Sequence, residues 1–175
     1  MSADTPPDIF IRQARPADAD ALTVLARAAF AAAFQQHYPP EIFDAYVDEA
    51  LTVARFAAEL EGELFYVAEV GGAMAGYAKL RSGGLPPQLQ GQHLVELQRM
   101  YVLPAYYGRG VAAALMDLCE QQARSEGYEG LWLGVWEFNY RAQRFYTRRG
   151  FVQEGTHPFR MGTLVEQDWV MYKCF

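Results

Sequence analysis

The run Leu131-Trp132-Leu133-Gly134-Val135-Trp136 is apolar throughout. A strand with one solvated face alternates in polarity, so this run predicts a central strand covered on both faces. Its surroundings read the same way. His93 to Val102 reads as a long strand, and an apolar helix follows from about Gly110 to Glu126. After the apolar run come a helix opened by Asn139, a strand Phe151 to Phe159, a turn near Met161-Gly162-Thr163 and a last strand Gln167 to Lys173. Strand, helix, strand, helix, strand is the grammar of a sheet with helices packed on it.

The first half is built differently. Ile9 to Gln13 alternates as a strand, and Arg15-Pro16-Ala17-Asp18 starts a helix whose apolar stripe is Leu22, Leu25, Ala26, Ala29, Phe30, Ala33 and Phe34. Tyr38-Pro39-Pro40 breaks it. Two more helices are expected, from about Glu41 to Ala50 and from near Thr52 to Gly62. Glu63 to Val70 and Met74 to Arg81 then read as antiparallel strands joined by Gly71-Gly72, which supplies the positive φ angles of a tight hairpin. Ser82 to Gly91, rich in Gly, Pro and Gln, reads as the most flexible loop and a candidate flap on the substrate side. The expected class is α/β in the mixed α+β sense: one domain over residues 1–175, with residues 1–7 as a flexible tail.

Composition excludes several functions. The net charge of -6 argues against nucleic acid, whose phosphates need clustered Lys and Arg. No stretch reaches the roughly 20 apolar residues of a membrane span, and the N-terminus lacks a basic region followed by an apolar run. Cys119 and Cys174 lie far apart and read as reduced thiols, so the cytoplasm is the expected compartment. His37, His93 and His157 show neither metal-ligand spacing nor a nucleophile partner, so no metal is expected.

Two motifs carry the chemistry. Tyr107-Gly108-Arg109-Gly110-Val111-Ala112-Ala113 lies between a strand end and a helix start. Backbone N–H groups are unpaired there and the helix dipole is positive, which favours an anion. The loop lacks the Gly-Lys-Ser/Thr of a nucleotide-triphosphate loop and the third glycine of a dinucleotide fingerprint. The second motif is Asn139-x-x-Ala142-x-x-Phe145-Tyr146-x-x-x-Gly150-Phe151. Asn139 suits a helix cap, Tyr146 shares a helical face with Ala142, and Gly150 suits the left-handed residue that ends a helix.

Together these motifs resemble the GNAT family, the Gcn5-related N-acetyltransferases, over nearly the whole chain. Gly110 and Ala112 match the family's loop, Gln/Arg-x-x-Gly-x-Gly/Ala, whereas Tyr107 stands in its first place. The resemblance implies a three-layer fold: a twisted mixed sheet of about seven strands with helices on both faces. It implies acetyl-CoA as cosubstrate and no metal. Residues 107–113 would take the pyrophosphate, with Met100, Tyr101 and Val102 offering backbone groups to the pantetheine, helped by Asn139. The strands ending near Val102 and Trp136 would splay to admit it.

On the same resemblance, Tyr146 would protonate the leaving thiolate and Glu96 would remove the amine proton, directly or through water. Both residues have plainer readings. Tyr146 packs beside Phe145 in any case, and Glu96 fits a solvated strand position or an anchor for a cation. His93 near the same strand is a further candidate for assisting proton removal. Arg141, Arg144, Arg148 and Arg149 make the motif helix basic, as a solvated face or as a partner for the cofactor's nucleotide phosphate.

Leu131 to Glu137 and Gly155-Thr156-His157-x-Phe159-x-Met161-Gly162, with Gln167-Asp168 after them, look like the PaiA-type polyamine acetyltransferases. That points to a small amine acceptor, and the acidic helix with Glu41, Asp44, Asp48 and Glu49 suits a polyamine as well as it suits plain exposure. Rival readings are acetylation of a protein or peptide amine, a non-catalytic acetyl-CoA sensor, and a nucleotide-binding loop. Dimerisation through the C-terminal strands is common in the resembled family, and nothing in this sequence fixes it.

Overall fold

The computed structural model describes residues 8–175, so the expected tail lies outside the described residues. The strands are β1 (Ile9–Gln13), β2 (Leu64–Val70), β3 (Ala73–Arg81), β4 (Leu94–Val102), β5 (Gly130–Trp136), β6 (Val152–Met161) and β7 (Leu164–Cys174). The α-helices are α1 (Ala19–Phe34), α2 (Pro40–Ala50), α3 (Val53–Gly62), α4 (Val111–Ser125) and α5 (Tyr140–Arg148). The seven strands form one mixed sheet in the order β1-β2-β3-β4-β5-β7-β6. The described residues divide into two compact units, 8–79 with 99–118, and 80–98 with 119–175.

In the first unit, β1 pairs antiparallel with β2, Ile9 opposite Val70 and Gln13 opposite Tyr66. The α1 stripe is buried at Leu22, Leu25, Ala26, Ala29, Phe30 and Phe34, as its spacing predicts. Thr52 caps α3 by accepting from the Arg55 N–H at 3.2 Å. Phe30 meets Phe43 and Tyr46 at ring distances of 5.6 and 5.3 Å.

A charged cluster lies inside this unit. Lys79, only 1% exposed, pairs with Glu59 at 2.9 Å and with Glu63, and Arg99 reaches Glu59 at 2.8 Å. Burial alone would raise the Glu59 carboxyl, but the Lys79 and Arg99 cations hold it below its ordinary value.

In the second unit, β4 and β5 run parallel with Leu94, Val95 and Glu96 opposite Gly130, Leu131 and Trp132. The register ends at Glu96–Trp132, whereas β5 runs on to Trp136. On its other side β5 pairs antiparallel with β7 along its whole length, from Gly130–Cys174 to Trp136–Asp168. β7 therefore separates β5 from β6, and β7 is longer at both ends than the sequence pattern predicts.

Two expectations need adjusting. Ser82–Gly91 is not a loose flap throughout: Pro87–Leu89 forms a 3-10 turn, and Leu89 is fully buried with Leu94, Trp132 and Val170. Gln88 Nε2 also donates to the Thr156 carbonyl at 2.7 Å. The apolar run of β5 is buried from Leu131 to Leu133 and at Val135, but Gly134 is exposed. A glycine counts as apolar in a pattern, yet here it makes room for the side chains of His157 and Asp168.

Candidate active site

The glycine loop follows a short 3-10 turn at Pro104–Tyr106 and leads directly into α4. Gly108 and Gly110 have φ of 73° and 88°, a left-handed geometry that side chains resist. A Cβ on Gly108 would meet nothing within 4 Å, so its backbone borders open space. The Ala114 N–H donates to the Gly110 carbonyl at 2.9 Å, opening the helical ladder. The N–H groups of Val111, Ala112 and Ala113 therefore lie upstream of that first bond, where a helix has no acceptors of its own. Tyr107 and Arg109 are exposed beside them. This arrangement fits a phosphate.

In the same unit, the end of β4 lies against β3. A Cβ at Gly76 would stand 2.7 Å from the Tyr101 carbonyl and 3.0 Å from Val102 Cγ2, so only glycine permits this approach. The Tyr101 ring is held by Phe30, Phe34 and Tyr77 at 6.1, 6.5 and 5.8 Å. Packing fixes the segment Met100–Val102 through that side chain.

In the second unit, α5 bears out its sequence reading. Asn139 caps it, Oδ1 accepting from the Ala142 N–H at 3.2 Å. That bond uses the carbonyl of the carboxamide and leaves its NH2 donors. Gln143, which carried no signal in the sequence, is buried and ties the helix to the end of β5 by donating to the carbonyls of Trp136 and Glu137 at 3.1 and 2.9 Å.

Tyr146 is 8% exposed and stands edge-on to Phe145 and Phe151 at 5.4 and 5.6 Å. Burial, with a smaller contribution from Cys119, raises its phenol well above the ordinary value. A phenol is protonated at neutral pH with or without that shift. Burial likewise pushes the Cys119 thiol up to about 12, leaving it inert.

Glu96 is not a solvated strand residue: it is 7% exposed. Its Oε2 accepts from Arg81 Nε at 2.7 Å, a partner the sequence did not suggest. Glu96 is opposite Trp132 in the parallel register, so the two side chains share one face of the sheet. On that face Gly134 lets the side chains of His157 and Asp168 lie close over β5. A Cβ there would stand 2.7 Å from His157 Nε2 and 3.2 Å from Asp168 Oδ2.

His93 does not face Glu96. Its Nδ1 lies 3.1 Å from the Gly127 carbonyl, and its ring stacks on Tyr128 at 4.8 Å, so it fastens the start of β4. Arg149 bonds Glu120 at 3.4 Å beside Lys173, while Arg144 and Arg148 are exposed. In the first unit Glu41, Asp44 and Glu49 are exposed and Asp48 pairs with Arg27 at 2.7 Å. Among the described residues no cluster of His, Cys, Asp and Glu could hold a metal ion, and no helix is long and apolar enough to cross a membrane.

Comparison with known proteins agrees with this geometry. An uncharacterised N-acetyltransferase of Mycobacterium tuberculosis (strain ATCC 25618 / H37Rv) is 39% identical over 158 residues, covering 89% of this chain and 97% of that one. One from Lactobacillus delbrueckii subsp. lactis is 28% identical, covering 94% and 96%. Among solved structures, PaiA N-acetyltransferase from Thermoplasma acidophilum in complex with coenzyme A superposes with a TM-score of 0.80 at 22% identity, covering 96% of this chain and 99% of that one. The fold is shared. The model of the acetyltransferase (GNAT) family matches residues 20–151, and the chain belongs to that family of N-acetyltransferases.

Proposed function

We propose that this enzyme transfers the acetyl group of acetyl-CoA to a primary amine by direct attack. The observation that carries the reading is Tyr146, a buried phenol packed between Phe145 and Phe151 on the motif helix, whose Asn139 cap leaves carboxamide donors for the cofactor arm. The pyrophosphate would lie on the backbone of Gly108–Ala113, with Arg109 adding charge and Tyr107 in the place of the family's polar side chain. The backbone of Met100, Tyr101 and Val102 would hold the pantetheine as an added strand does, and an amide of that segment would stabilise the oxyanion. Donors of the carboxamide of Asn139 would meet a pantetheine carbonyl.

An alkylammonium must lose a proton before it attacks. Glu96, fixed by Arg81, would take that proton through a water. The new C–N bond then forms, the C–S bond breaks, and the electron pair leaves on sulfur. Tyr146 would supply the proton, since a phenol can donate to a thiolate within hydrogen-bond reach. The acceptor is a small amine, and the cytoplasm, which supplies acetyl-CoA, is the setting.

The test is a CoA-release assay across diamines, monoamines, amino acids, aminoglycosides and peptides. Release with small amines supports the proposal. Release with peptides alone moves the acceptor to protein, and CoA binding without release from any amine leaves a sensor.

A further inference from the structure

One carboxylate in the first compact unit ties α3, β3 and β4 together. Glu59 of α3 takes both ends of the Arg99 fork, Nη1 to Oε2 at 2.8 Å and Nη2 to Oε1 at 3.4 Å. Lys79 of β3 reaches the same Oε2 at 2.9 Å and also pairs with Glu63. Both cations stand over rings. The Arg99 guanidinium is 5.4 Å from the Phe56 ring, and the Lys79 ammonium is 5.3 Å from the Phe65 ring.

Neutralisation alone does not call for Arg99. Lys79, which is buried, already sets a cation against Glu59, and Arg55 one turn earlier on α3 approaches its Oε1 at 3.4 Å. A further buried ion pair adds little net stability over apolar packing, whereas its two-bond geometry is specific.

What the fork fixes is the strand that carries it. Arg99 and Tyr101 are two residues apart, so their side chains leave the same face of β4 and Met100 leaves the other. Tyr101 is set among the rings of Phe30, Phe34 and Tyr77. The Leu103 N–H donates to the Ala75 carbonyl at 2.9 Å, and Gly76 admits the Tyr101 carbonyl. Two side-chain anchors on one face, with β3 along one edge, therefore bracket Met100–Val102. That segment lies beyond Glu96, where the register with β5 ends.

We propose that Arg99 is a positioning residue for acetyl transfer: its fork onto Glu59 holds the Met100–Val102 backbone where the pantetheine and the thioester carbonyl would meet it. The assignment rests on the acetyl-transfer reading of that segment and adds the group that keeps it in place. A binding backbone has to be held to about 0.5 Å, and packing with hydrogen bonds behind the strand does this. Arg99 acts through the strand, because its guanidinium is committed to Glu59 and Phe56 on α3. Its loss therefore has a directional signature. The pantetheine half of acetyl-CoA loses its strand, and the nucleotide half keeps the Gly108–Ala113 loop, which lies in the same unit.

The experiment uses Arg99→Met, which retains length and packing on Phe56 but has no fork, and Arg99→Lys, which retains the charge. Calorimetric titration compares acetyl-CoA with 3′-phosphoadenosine 5′-diphosphate, which has the nucleotide and pyrophosphate but no pantetheine. Hydrogen exchange follows the amides of 100–102 without any ligand, and thermal melts establish that the variants fold. Arg99→Met should weaken acetyl-CoA about 10-fold, a change of about 1.4 kcal/mol, and leave the nucleotide within about twofold. Exchange at 100–102 should quicken about 10-fold with the α4 amides unchanged, and Arg99→Lys should fall between wild type and Arg99→Met. Glu59→Gln should reproduce the pattern, and combining it with Arg99→Met should add no further loss of acetyl-CoA affinity. Equal weakening of both ligands, unweakened acetyl-CoA or unchanged exchange overturns the assignment. Where the wild type itself binds acetyl-CoA no more tightly than the nucleotide, the pantetheine reading falls, and exchange alone decides the anchor.

Discussion

Arg81 holds Glu96 through Nε and Nη2, each 2.7 Å from Oε2, and both residues lie within the same compact unit. A carboxylate this buried is costly without a cation. Arg81→Ala should therefore destabilise the protein by about 1 kcal/mol in urea unfolding, because the Arg81 side chain is 41% exposed and the pair is only partly buried. Glu96→Gln removes the charge and keeps the shape. It should leave the unfolding midpoint nearly unchanged and lower kcat/KM about 100-fold, as expected for loss of a general base. Wild-type kinetics in Glu96→Gln would return the residue to a purely structural role.

Asn139 has one side-chain oxygen in the cap and one NH2 group beyond it. The two roles separate by substitution. Asn139→Asp keeps the cap but has no amide donor, so stability should hold while acetyl-CoA binds about 10-fold more weakly, the cost of a lost hydrogen bond near 1.4 kcal/mol. Asn139→Ala should show the same loss of affinity plus about 1 kcal/mol of stability. Titration calorimetry and urea melts read the two effects independently. An Asp variant with undiminished affinity would leave only the cap.

Asp168 gives a pH signature. Its folded pKa of about 6 lies above the ordinary 3.8, so between those values the folded state binds more protons than the unfolded state. Stability should fall as pH rises from about 4 to 6 and level off above, with Asp168 contributing about 3 kcal/mol of that loss. Asp168→Asn should flatten the slope and be more stable than wild type at pH 7. Urea titrations at pH 4, 5, 6 and 7 measure this, and an identical pH slope in both proteins would contradict it.

Most of the fold was legible because it rests on local patterns. The α1 stripe, the Gly71-Gly72 turn and the Asn139 cap are each written within a few residues. Pairing partners were not legible. Insertion of β7 between β5 and β6 depends on contacts between distant segments, and no local period encodes it. Leu89 in a Gly/Pro-rich loop gave no periodic signal, yet it is buried on Trp132 and Val170. Gly134 misled in the opposite direction, since an apolar letter in an apolar run here admits the polar side chains of His157 and Asp168.

For the candidate site the same division holds. Tyr146 and Asn139 sit on one short helix and were readable from spacing. Arg81, His157 and Asp168 come to their partners across strands, and only the register brings them there. Gln143 is a buried glutamine that secures α5 to β5, and a polar residue inside a basic helix gave no hint of that.

If Tyr146 donates a proton to the departing thiolate, Tyr146→Phe should stop that step alone. Phenylalanine keeps the packing against Phe145 and Phe151 and deletes only the hydroxyl. CoA release with the best amine substrate should fall about 100- to 10,000-fold in kcat, with the acetyl-CoA dissociation constant within about twofold of wild type. A kcat equal to that of the wild type would contradict the account.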